Sequence, residues 1–136
     1  MKTRSELREI IIHVLYESYI LDIAKITYNI DELIKEELET QNDFVKETIS
    51  LVLANQEKLS EIANTYLIDW DINRLSKVDK AILSLGIYEL LYTDTPPIVA
   101  INEAIELSHK YSDEKVSKMI NATLDGIYKS PLYKEN

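Results

Sequence analysis

Cysteine is absent from the 136 residues, which excludes disulfides, thiolate metal sites, iron–sulfur clusters and thiol catalysis. Glycine occurs only twice, about a fifth of its usual frequency, leaving almost nothing for β-hairpin turns or phosphate-cradling loops. No apolar run approaches the roughly 20 residues that span a bilayer. The run Ile10 to Ile12 is cut off by His13, and no small-residue cleavage site follows it. Positive charge is scarce too: 15 basic side chains against 24 acidic ones give a net charge of -9. That balance argues against indiscriminate nucleic-acid binding, which depends on neutralising phosphates. The expectation is one cytoplasmic all-α domain over residues 1–136, not an enzyme and without cofactor or metal.

What is present is helical periodicity with strong start signals. Thr3 and Glu6 have capping-box spacing and precede Leu7, Ile10, Ile11, Val14 and Leu15, predicting a helix to about Leu21. Asn29 and Glu32 repeat the pattern before Leu33, Ile34 and Leu38. Asn42 caps the next run, in which Val45, Ile49, Val52, Leu59, Ala63 and Tyr66 form a stripe interrupted by Gln56. The spacing predicts one helix over residues 43–67, about 38 Å long at 1.5 Å per residue. Trp70 to Leu75 reads as a connecting turn. Ser76 caps a segment apolar on more than one face, which belongs at the centre of a core or under a partner. Pro96-Pro97 starts the next helix, Asp113 caps the last, and Pro131 ends it. Six or seven helices in a compact bundle result, with a loosely ordered tail from about residue 130.

Most chemistry candidates fail on spacing. Asp69-Trp70-Asp71-Ile72-Asn73 resembles the start of a calcium loop, but Arg74 replaces the required glycine and Lys80 the bidentate glutamate. His13 and His109 lie on different helices without a metal-ligand partner pattern. Glu36 with Glu39, and Glu103 with Glu106, read as solvated helix faces rather than acid–base pairs.

The basic residues are segregated. Lys2, Arg4 and Arg8 against Glu6 make residues 1–8 positive by two, residues 109–136 are positive by one, and the middle sums to -12. Arg4 and Arg8 are an i, i+4 pair on one flank of the first helix, and Tyr16 follows two turns beyond Arg8. Lys115 and Lys118 open the last helix, where free N–H groups favour an anion. Side by side, the two helices would make a small basic, aromatic-flanked surface suited to single-stranded RNA.

Val99-Ala100-Ile101-Asn102-Glu103-Ala104-Ile105-Glu106-Leu107 and Lys118-Met119-Ile120-Asn121-Ala122-Thr123-Leu124-Asp125 closely resemble the NusB family of bacterial transcription antitermination factors. Val78-Asp79-Lys80-Ala81-Ile82-Leu83 with Gly86-Ile87-Tyr88-Glu89-Leu90 is similar to that family's central helix, and Arg8-Glu9 with Leu15-Tyr16 to its first. The resemblance covers nearly the whole chain in order.

It implies an all-helical fold of two small sub-bundles sharing a core. It also implies an adaptor that recognises boxA-type single-stranded RNA in ribosomal-RNA transcripts together with ribosomal protein NusE, within the transcription elongation complex. Arg4, Arg8, Tyr16, Lys118 and Asn121 match positions where the family meets RNA; Lys2, Lys115 and Met119 adjoin them. Asp79, Leu83, Tyr88 and Glu89 fall in the region that meets NusE. A second copy of the chain is the other candidate to cover the apolar central helix.

The sequence departs from the family pattern at Ser5, Glu6 and Leu7, which stand in place of an arginine cluster. Met119 replaces a common Phe, Ser84 a frequent Arg, and Asn121-Ala122 an Asn-Gly. These departures imply weak RNA affinity for the chain alone. The alternative reading is a helical bundle that binds NusE with little RNA binding of its own.

Overall fold

The computed structural model describes residues 1–135, and its regular elements are all helical. They are α1 (Arg4–Ile23), α2 (Ile30–Glu37), α3 (Asp43–Ala54), α4 (Gln56–Tyr66), α5 (Lys77–Tyr92), α6 (Pro97–Tyr111), α7 (Glu114–Tyr128) and α8 (Pro131–Glu135). A short 3-10 helix, Ile72–Arg74, precedes α5. The chain divides into two compact units, Met1–Asn55 and Gln56–Asn136.

The caps form where the sequence places them. Both bonds of the Thr3–Glu6 capping box are made, at 2.9 and 3.1 Å. Side-chain oxygens of Asn29, Asn42, Ser76 and Asp113 each accept the N–H three residues on, at 2.9 to 3.2 Å. Each satisfies a donor that the first helical turn leaves without an intrahelical partner.

The scarcity of glycine shows at the end of α1. The Ile26 N–H reaches back to the Leu21 carbonyl at 2.9 Å and the Lys25 N–H to Asp22 at 3.1 Å, a Schellman closure. Its left-handed position, usually glycine, is filled by Lys25 at φ 58°.

The single helix expected over residues 43–67 is broken at Asn55, whose φ of -110° and ψ of 14° leave the helical region. The Asn55 amide Nδ2 donates to the Leu51 carbonyl at 2.7 Å, so the side chain competes for the backbone acceptor a continuing helix would use. Gln56, the fault in the apolar stripe, begins α4, and its amide donates to the Ser84 hydroxyl of α5 at 3.0 Å. With α8 formed after Pro131, this break brings the described helices to eight instead of six or seven. Of the tail expected to be loose, residues 131–135 form α8, where Tyr133 meets the Tyr128 ring edge-on at 4.8 Å; Asn136 lies outside the described residues.

In the first unit α1 packs on α2 and α3. Ile11, Val14 and Leu15 of α1, with Val45, Ile49 and Val52 of α3, are fully buried. In the second unit α5 is central, packed against α4, α6, α7 and α8. Every residue from Ala81 to Leu91 is buried, so the apolar faces of this helix are already covered within the chain. A Cβ on Gly86 would lie 3.0 Å from Leu124 of α7 and 3.4 Å from Ala104 of α6, so its hydrogen permits the close approach of three helices.

Candidate nucleic-acid interface

In the first unit the basic residues gather around an aromatic ring that spacing alone did not single out. The Arg4 guanidinium carbon sits 3.9 Å from the centroid of Phe44, and that of Arg8 at 5.8 Å. Phe44 is the chain's only phenylalanine and lies on the first turn of α3, off the buried stripe of Val45, Ile49 and Val52. That displacement from the stripe was the available signal. A guanidinium over an aromatic face is held by the ring's quadrupole.

Arg4 is exposed, but Arg8 is only 4 % exposed, so the i, i+4 pair shares a flank without being equally open to solvent. Lys2 is exposed and lines an open cavity of about 710 Å³ with Leu7, Leu38, Gln41 and Asn42, flanked by Glu37 and Glu39. Tyr16 is exposed on α1, about 12 Å along the axis from Arg8 and about 80° around it by helical geometry. The same helix carries His13, whose Nδ1 lies 3.3 Å from Glu37 Oε1, so this imidazole pairs with a carboxylate of α2.

In the second unit the matching residues line the start of α7. Lys115, Lys118 and Asn121 are exposed and Met119 is half-buried. Lys118 approaches Glu114 at 3.6 Å, but both side chains are more than three-quarters exposed, so water screens the pair. The Lys115 ammonium lies 5.5 Å from the Trp70 ring.

The proposed partner residues are placed otherwise than a contact surface requires. Asp79, Leu83, Tyr88 and Glu89 are each 6 % exposed or less. Asp79 Oδ1 accepts a hydrogen bond from the Ser112 hydroxyl, tying the start of α5 to the end of α6. Glu89 Oε2 accepts from Thr95 Oγ1 at 3.0 Å and so holds the α5–α6 connection. Tyr88 stacks on Tyr92 at 6.1 Å. The central position of α5 in the second unit closes off Leu83 and Tyr88, and these hydrogen bonds hold Asp79 and Glu89 in at its two ends. Ser84, where the family pattern has arginine, is fully buried as acceptor for Gln56.

Residues 5–129 match the NusB family. The chain belongs to the NusB family.

The transcription antitermination protein NusB of Methylacidiphilum infernorum (isolate V4) is 35% identical over 140 residues, covering 95% of this chain and 92% of that protein. Among solved structures, T. maritima NusB matches with a TM-score of 0.78 at 31% identity, over 100% of this chain and 94% of that one. A chain in the crystal structure of antitermination factors NusB and NusE in complex with dsRNA matches with a TM-score of 0.75 at 26% identity, over 98% and 97%. The all-helical NusB architecture is therefore shared along the whole length. Among the described residues, no helix is long and apolar enough to cross a membrane.

Proposed function

We propose that this NusB-family chain is a transcription antitermination factor that binds boxA-type single-stranded RNA of ribosomal-RNA transcripts together with ribosomal protein NusE, in the cytoplasm and within the elongation complex. In this reading it performs no catalysis and needs no cofactor. The observation that carries it is the exposed Arg4 guanidinium held 3.9 Å over Phe44, a cation fixed in place beside an aromatic surface. A pre-positioned guanidinium loses less side-chain freedom when it meets a phosphate, and aromatic or guanidinium planes are what unstacked bases pack on. Lys2 extends the positive end of α1; Tyr16, Lys115, Lys118, Met119 and Asn121 are the remaining RNA residues of the proposal.

NusE is the proposed partner of the α5 region. There Asp79, Leu83, Tyr88 and Glu89 shape the surface from beneath instead of touching the partner. The apolar stretch of α5 that made a second copy a candidate, Ala81 to Leu91, is covered by the chain itself.

The test is binding of boxA and a scrambled RNA, with and without NusE, at two salt concentrations. We expect NusE to raise affinity, boxA to be preferred, and log affinity to fall with log salt at a slope of about -2, as three phosphate contacts require. Equal binding of both RNAs by the NusE-containing complex overturns sequence-specific recognition.

The burial of Arg8 favours a second reading, a bundle that binds NusE and leaves RNA to it. Retained NusE binding with no RNA-induced shift of Arg4 or Lys118 resonances would support that reading over the first.

A further inference from the structure

The segment Asp69-Trp70-Asp71-Ile72-Asn73, too incomplete for calcium, holds none of the RNA or partner residues named above. Its local structure is well held. The Asp71 carboxylate accepts the Asn73 N–H at 2.8 Å, and the Asn64 amide oxygen of α4 accepts the Ile72 N–H, also at 2.8 Å. Asp69 adopts a left-handed φ of 63°, which turns the chain just before Trp70. These bonds fix the backbone just after the only tryptophan in the chain, and Trp70 itself remains 38 % exposed. An aromatic side chain left partly in water keeps surface that a planar ligand can cover.

Its neighbours are cationic. The Lys115 ammonium sits 5.5 Å from the ring, and Lys118 follows one turn along α7, exposed to solvent. Met119 is half-buried beside Lys118 and offers no ring of its own. We infer that Trp70 is a stacking platform for a base of single-stranded RNA, with Lys115 and Lys118 taking the adjoining phosphates. This rests on the RNA-binding reading above and adds a site to it.

The chemistry fits a nucleotide in one orientation. A base stacks on indole through its π-face whatever its identity, so the platform contributes affinity without sequence preference. The ammonium groups of Lys115 and Lys118 attract phosphate, which assigns the backbone of the RNA to the α7 side. Lys115 thus serves twice, ordering the indole in the free protein and neutralising phosphate in the complex.

The single tryptophan makes the test direct. The full chain with NusE is titrated with boxA-type RNA, following fluorescein anisotropy of labelled RNA and, separately, tryptophan emission. The Trp70→Phe complex serves as the emission blank. Expected is quenching of the Trp70 signal in step with the anisotropy change. Trp70→Leu should weaken binding roughly tenfold, within the range for one lost base–aromatic stack, while Trp70→Phe retains most of the affinity. Far-ultraviolet circular dichroism checks that Trp70→Leu is folded, and the wild-type quenching arm stands whether or not it is. If RNA binds but Trp70 emission does not move, the platform is wrong and the RNA-binding reading survives. If no RNA binds even with NusE, that reading falls and the platform with it.

Discussion

The Arg4 guanidinium carbon and the centroid of the Phe44 ring are 3.9 Å apart, joining the first turn of α1 to the first turn of α3. The pair does two things at once. It bridges two helices of the first unit, and it holds an exposed cation in a narrow range of orientations. Arg8, one turn further along α1, sits 5.8 Å from the same ring but is closed off from solvent.

Phe44→Leu should therefore lower RNA affinity without touching a charge. A cation over an aromatic face at an exposed site contributes about 0.5–1 kcal/mol, so the loss should be two- to five-fold, with Phe44→Tyr close to the wild type. RNA titrations of the NusE complex check this, and the upfield ring-current shift of the Arg4 side-chain protons should vanish in Phe44→Leu alone. A merely structural Phe44 would lower stability and leave folded-state affinity unchanged.

Lys25→Gly should stabilise the protein. Lys25 holds a left-handed φ of 58° in the closure of α1, a conformation that costs an L-residue about 1–2 kcal/mol relative to glycine. Glycine's greater freedom in the unfolded chain returns part of that gain, so a net increase of about 1 kcal/mol is expected from urea denaturation. Lys25→Ala should show no such gain.

Two glutamates in the first unit should shift stability with pH in opposite directions. The backbone N–H and then the hydroxyl of Thr3 hold the Glu6 carboxyl below its ordinary pKa. Its contribution is present above the unfolded pKa and is lost as pH falls through the lower folded value. Burial, then the charges of Glu36 and Glu37, raises Glu17. Its ionisation therefore costs stability as pH rises through the raised folded value, and the cost is absent below the unfolded one. Glu6→Gln should destabilise at neutral pH and Glu17→Gln should stabilise, with both differences fading on acidification. Urea midpoints from neutral to acid pH report both.

Glu89→Ala should cost about 2 kcal/mol of stability, because Thr95 loses its carboxyl acceptor and a nearly closed site is emptied. Measured well below the melting temperature, NusE affinity should change little, since Glu89 is 2 % exposed and cannot reach a partner directly. A large loss of NusE binding with an unchanged melting curve would return Glu89 to the contact surface.

Much of the helical order was legible in the sequence because caps act over three residues. Thr3, Asn29, Asn42, Ser76 and Asp113 each bond where their spacing says. The break at Asn55 was not legible. The apolar stripe runs through it, and what marks the end of α3 is the side-chain bond from Asn55 to the Leu51 carbonyl. Phe44 and Trp70 were visible as rare residues, but their cationic neighbours lie far away along the chain.

Composition and local periodicity by themselves determined an all-α chain, free of thiol chemistry, with its positive charge at the two ends. Those properties depend on residues one helical turn apart, or on simple counts. Tertiary structure alone decided which charged and aromatic groups meet and which are shut away. Arg4 finds Phe44, Lys115 finds Trp70, and Arg8, Asp79 and Glu89 leave solvent. Burial and pairing are set by what packs against a residue from elsewhere in the fold, and no spacing rule along one helix contains that information.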